Sequence, residues 1–150
     1  MRFTALIFIL MGSIFYGQSV YKVIPQKKIT VEKIELTKNF AEEFIRKCEE
    51  KNYSMFSDFK LTNNLTEKIE KSLIKICEQN QKSSGKITVG DFNSAYIDRY
   101  TNLYNPMELY IFNGSSESNK DINYISVWIT KNDILIDGIW MSHEKPLIKK

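Results

Sequence analysis

Acid–base chemistry is within reach of one set of side chains in this sequence: Asp98 and Asp137, with Tyr96, Tyr100 and Tyr110 nearby along the chain. A carboxylate held in a pocket beside a tyrosine can move a proton at carbon and stabilise the oxyanion that results. No spacing singles out a pair, and Asp137 reads equally well as a solvated strand residue whose partner is the indole N–H of Trp128. The sole histidine, His143, falls beyond the last predicted strand and reads as an exposed side chain. There is no glycine-rich phosphate loop, no Ser, His and Asp pattern and no metal-ligand spacing, so neither a metal nor a cofactor is expected.

The two cysteines, Cys48 and Cys77, each fall on the apolar stripe of a predicted helix. They read either as buried thiols, which behave as small hydrophobes, or as a helix-to-helix disulfide of an exported protein. A different chemistry is offered by Tyr124, Trp128 and Met141, which a hairpin reading puts on one sheet face with Asp137 and Ile139. Tyrosine and tryptophan give large contact area at small ordering cost, so that face is a candidate surface for a partner protein or small apolar ligand. Cover by the N-terminal arm, or by a second copy in a homodimer, is the structural alternative.

The elements that must position these residues follow from periodicity. Residues Tyr21 to Leu36 alternate loosely, as an edge strand or a linker. Asn39 with Glu42 three residues later forms a helix start, followed by Phe40, Ala41, Phe44, Ile45 and Cys48 at helical spacing as far as about Asn52. Glu42 with Arg46 and Glu43 with Lys47 are expected to pair on its outer face. Residues Tyr53 to Leu61 hold too many apolar groups for a free loop and suggest a packed turn or a short helix. A second helix begins near Asn64, carries Leu65, Ile69, Leu73, Ile76 and Cys77 inward, and ends at Gly85. Beyond Ile87 the period shortens: Met107 to Phe112, Asn123 to Thr130 and Asp133 to Met141 read as antiparallel strands, and Ala95 to Tyr104 is assigned as a fourth. A tight turn at Lys131 to Asp133 then sets Ile125, Val127 and Ile129 with Ile136, Gly138 and Trp140 on the helix-covered face. The polar stretch Asn113 to Asn123 is expected to be a long connection.

The amino end carries the layout of an export signal. Arg2 precedes an apolar run from Thr4 to Tyr16, no further charge appears before Lys22, and Gly17 with Ser19 suits a cut after Ser19. Retention of the uncharged stretch Phe3 to Tyr21 as a membrane anchor is the rival reading. With cleavage, no membrane association is expected, and the protein is periplasmic or extracellular. The boundaries are then a signal over 1–19, an arm or edge strand over 20–38, the domain over 39–142 and a basic tail over 143–150. Composition is that of a folded domain, with 43% hydrophobic and 26% charged residues. A net charge of +3, with eighteen lysines spread along the chain, argues against nucleic acid.

Phe40 to Phe44, Asn52 to Phe59, Leu65 to Ile76 and Ser84 to Ile87, in that order, resemble the packing stretches of small secreted domains in the nuclear transport factor two-like, or cystatin-like, superfamily. The similarity covers Asn39 to Trp140. It implies an α+β fold of two N-terminal amphipathic helices on a curved, cone-like antiparallel sheet of about four strands. Members similar in fold include isomerases, dehydratases, transport adaptors and binding domains, so it speaks to fold more than to function. The expected function is a non-enzymatic exported binding domain, with an inhibitor or immunity protein as one form. A cone-pocket isomerase or dehydratase using a carboxylate and tyrosine, as in relatives resembling ketosteroid isomerase, is the alternative.

Overall fold

The computed structural model describes residues 21–98, 104–118 and 122–147. The expected signal over 1–19, Tyr100 and the last lysines, Lys149 and Lys150, lie outside them. Strand β1 (Tyr21–Val23) leads through a short turn of helix at Gln26–Lys28 into helix α1 (Val31–Glu49), and helix α2 (Asn63–Ser84) follows. Strands β2 (Ile87–Asp98), β3 (Met107–Ser116), β4 (Tyr124–Thr130) and β5 (Ile136–Ser142) complete the chain. The fold is α+β: the two helices cover one face of a five-stranded antiparallel sheet that runs in chain order from β1 to β5 and does not close. No helix among the described residues is long and apolar enough to cross a membrane.

Five strands stand where about four were expected, because the arm supplies β1: Tyr21, Lys22 and Val23 pair with Asp98, Ile97 and Tyr96. The end of the arm, from Val31, belongs to α1. Thr30 caps α1 by accepting a hydrogen bond from the Lys33 amide, so the helix starts eight residues before Asn39. The apolar stripe runs from Ile34 through Thr37 to Phe40, and Thr37 satisfies its buried hydroxyl by donating to the Lys33 and Ile34 carbonyls. A polar residue type at that stripe position hid the first two turns. On the opposite side Arg46 bonds both Glu43 and Glu50, while Lys47 turns inward to donate to the Ser54 carbonyl and hydroxyl, so the expected Glu43 with Lys47 pair does not form.

Helix α2 starts at Asn63 under a Thr62 cap and stops at Gly85, whose φ of 65° suits a residue without Cβ. Cys48 and Cys77 are bonded to each other and buried, which selects the bridge over the two free thiols. Phe40, Phe44, Phe56 and Phe59 stack between the helices and the segment joining them, with ring centres 5.2–6.4 Å apart. They lie over Tyr110 and Phe112 of β3 and Ile125, Val127 and Ile129 of β4, which form the sheet side of the core.

One bulge decides which side chains of β5 face that core. Ile129 pairs with Ile136, and the two share the helix-covered face as expected, but the next rung pairs Trp128 with Gly138, so Asp137 is an extra residue. From there the faces exchange. Ile139 and Met141 lie across from Val127 and Ile125 on the helix side, while Gly138 and Trp140 join Trp128 and Ser126 on the other. The reading that placed Gly138 and Trp140 under the helices is corrected by that single insertion. The turn before β5 spans residues 131–135, with Ile134 at a φ of 53°, and is longer than the tight hairpin expected. Strand β3 itself reaches Ser116, which shortens the polar connection; residues 119–121 of that connection lie outside the described ones.

Candidate functional site

The predicted site residues do not converge. Asp98 ends β2 next to the β1 edge, whereas Asp137 sits in the bulge of β5 at the other edge. Three strand spacings separate these strands, about 14 Å. Asp137 accepts a hydrogen bond of 2.7 Å from the Thr62 hydroxyl, which ties the start of α2 to β5 and accounts for that carboxylate structurally. Of the binding trio, Tyr124 and Trp128 share the face away from the helices and Met141 lies on the opposite one, moved there by the bulge.

Tyr124 and Trp128 already have neighbours from the ends of the chain. The indole N–H of Trp128 donates to the Tyr21 hydroxyl at 3.0 Å, so the arm reaches across the sheet face. Burial is the main cause that raises the Tyr21 pKa, with the charge of Asp98 adding to it and the bond from Trp128 opposing it. The tail folds back as well: the Lys145 ammonium lies 5.5 Å from the centre of the Tyr124 ring and 3.2 Å from the Ser94 hydroxyl. This part of the basic tail is packed against the sheet. On the same face Leu109, Ile111 and Ser126 are wholly buried, and the Ser126 hydroxyl has no hydrogen-bond partner among the described residues. His143 is exposed, as expected, with its Nδ1 2.9 Å from the Asn123 amide.

Two concave sites lie elsewhere. The larger is a groove of about 480 Å³ between α2 and β5. Phe44, Leu65, Ile69 and Ile76 from the helices and Ile139 and Met141 from the strand give it apolar walls. Lys68, Gln79, Asn80 and Asp137 supply its polar groups. Residues Lys60 to Thr62 bond to Ile136 at the beginning of β5, and the rest of that strand is a sheet edge. Met141 is therefore part of a candidate site, although not the one expected for it.

The smaller site is a cavity of about 230 Å³ at the other end of the sheet, where β1, the turn at Gln26–Lys28 and the β4–β5 turn meet. Glu108 forms its floor and is buried beside Tyr110. One carboxylate oxygen, Oε2, accepts from the Lys33 ammonium at 2.8 Å and from the Tyr110 hydroxyl at 3.2 Å. Burial, followed by the adjacent Glu108 charge, raises the Tyr110 pKa far above its usual value, so the phenol stays protonated and serves as a donor. Sequence reasoning nominated Tyr110 and passed over Glu108. The signal that marks it is register: Glu108, Tyr110 and Phe112 alternate along β3, so a glutamate shares the face that carries two core aromatics.

No protein-family model matches this chain, and neither the curated proteins nor the solved structures contain a match. No group of three or more His, Cys, Asp or Glu residues among the described ones is arranged to hold a metal ion.

Proposed function

We propose that this chain is an exported, non-enzymatic binding domain that holds a small apolar ligand, or an apolar segment of a partner protein, in the groove between α2 and β5. The observation that carries this reading is the groove itself. At about 480 Å³ it has the size of a small-molecule site, its walls are aliphatic and aromatic, and a few polar groups stand at its rim. The Cys48–Cys77 bridge is compatible with an exported protein, since such bonds persist in oxidising compartments. An inhibitor or immunity protein is one form of such a module, because it needs a docking surface and no chemistry of its own. Membership of the nuclear transport factor two-like superfamily belongs to the same proposal, supported by two helices ahead of an antiparallel sheet.

The carboxylate-and-tyrosine enzyme draws less support from the geometry. Asp98 and Asp137 are three strands apart in the sheet, and the Tyr110 proton is engaged by Glu108 rather than pointed at a substrate.

A neutral apolar fluorophore, N-phenyl-1-naphthylamine, tests the groove without exploiting the lysines. Its emission is expected to rise on addition of the protein, and to stay near the free-dye level with Ile76→Glu or Ile139→Glu at unchanged circular dichroism. Both positions are only partly buried, so the substitutions are expected to leave the fold in place. Equal enhancement by the wild type and both variants would remove the groove from consideration.

A further inference from the structure

Of the three lysines around the smaller cavity, Lys22 and Lys28 are six residues apart in sequence, and the fold brings Lys131 to them from the other end of the chain. Pairing across the sheet places Lys22, Ile97 and Glu108 in one row on the helix-facing side. Lys28 enters from the turn that precedes α1, and Lys131 from the turn that follows β4. None of Lys22, Lys28 and Lys131 forms an ion pair among the described residues; the ion pairs present use Lys33, Lys38, Arg46 and Lys71. Lys33 is committed to Oε2 of Glu108 and to the Lys131 carbonyl. Three unmatched ammonium groups thus surround one concave space, a placement that concentrates positive potential where an anion would sit.

A second feature restricts the anion. Both hydrogen bonds to the Glu108 carboxylate fall on Oε2, and Oε1 receives none among the described residues although Glu108 lines the cavity. A bare anion brings no donor for that oxygen. A molecule that also carries a hydroxyl group can donate to it. The remaining walls, Val23, Ile24, Pro25 and Ile97, are apolar and suit a short carbon skeleton.

We propose that this cavity binds a compact, hydroxyl-bearing polyanion. Its negative groups are held by Lys22, Lys28 and Lys131, and its hydroxyl donates to Oε1 of Glu108. A hydroxylated polycarboxylate and a sugar phosphate share this chemistry. The site is separate from the α2–β5 groove and does not depend on what that groove holds.

Titration at low ionic strength, followed by amide shifts in nitrogen-15 spectra, tests it with four probes: citrate, tricarballylate, glucose 6-phosphate and inorganic phosphate. Citrate and tricarballylate carry the same three carboxylates, and only citrate has the hydroxyl. The hydroxyl-bearing member of at least one pair is expected to bind about 5- to 10-fold more tightly than its counterpart, the range of one hydrogen bond. Its shifts should centre on residues 22–28, Ile97, Glu108 and Lys131. Citrate as the tighter binder assigns a hydroxy-polycarboxylate, and glucose 6-phosphate assigns a sugar phosphate. Lys22→Gln with Lys28→Gln, both exposed, is expected to weaken binding at least about 10-fold, as loss of two charges predicts in weak screening. The Lys33→Met, Glu108→Met pair removes both partners of the buried ion pair together and is expected to keep anion binding while erasing the hydroxyl preference. Should that variant fail to fold, the two pairs of probes on the wild type still decide. No preference in either pair of probes, or shifts spread over lysines across the whole surface, overturns the proposal.

Discussion

Tyr110 is the side chain whose environment makes the sharpest prediction. It is buried, bonded to Glu108, and holds its proton well beyond the ordinary tyrosine range. The folded chain therefore binds this proton more tightly than the unfolded chain does. Its contribution to stability is complete below the unfolded-state pKa near 10 and is lost as pH rises past that value towards the folded one. Tyr110→Phe gives up one hydrogen bond and is expected to cost about 1 kcal/mol at neutral pH. Urea unfolding at a series of alkaline pH values should show that gap narrowing above about pH 10, because only the wild type has the proton to lose. A gap that stays constant with pH would mean that the phenol titrates freely in the folded chain.

Among the elements, the start of α2 depends on one side chain with two jobs. The Thr62 hydroxyl accepts from the Leu65 amide at 3.2 Å and donates to Asp137 at 2.7 Å, so it caps the helix and ties it to the bulge of β5. Thr62→Ala is expected to lower stability by about 1–2 kcal/mol, and Thr62→Ser to recover most of that, in urea titrations followed by circular dichroism. This element also shows how far the sequence can be read. The apolar stripe of α2 and its stop at Gly85 are explicit, as are the aliphatic and aromatic strands after Met107, because burial and backbone freedom write directly into residue type, whereas β2 starts at Ile87, eight residues before the strand expected from Ala95. The first turns of α1 are not, since Thr37 occupies a stripe position and is satisfied only once the helix exists. The bulge at Asp137 is equally silent, because the side-chain hydrogen bond that Asp137 makes there is to a residue 75 positions away. That silence separated Met141 from Tyr124 and Trp128. Glu108 was within reach through its alternation with Tyr110, but the approach of Lys131 to Lys22 and Lys28 is a product of strand order and has no local signature.

At the scale of the whole molecule, one covalent link joins the end of α1 to α2. Cys48 and Cys77 enclose the segment that bears Phe56 and Phe59, with 29 positions between the sulfurs in sequence. Closing a loop of that length restricts the unfolded chain by about 3–4 kcal/mol in the chain-entropy account. A Cys48→Ala, Cys77→Ala variant is expected to be less stable by that amount and so to unfold at a lower urea concentration, and the wild type to fall to the same midpoint when unfolded with reductant. Coincident midpoints for wild type and variant without reductant would show that the link adds nothing to stability.

Both sulfurs precede Ile87, so the link encloses no part of β2, β3, β4 or β5. During synthesis from the amino end, the helical half can be oxidised before any of these four strands has been made. Strand β1 alone must wait for a later segment, since its partner β2 begins more than sixty residues on. With only two cysteines in the sequence there is no wrong pairing to undo.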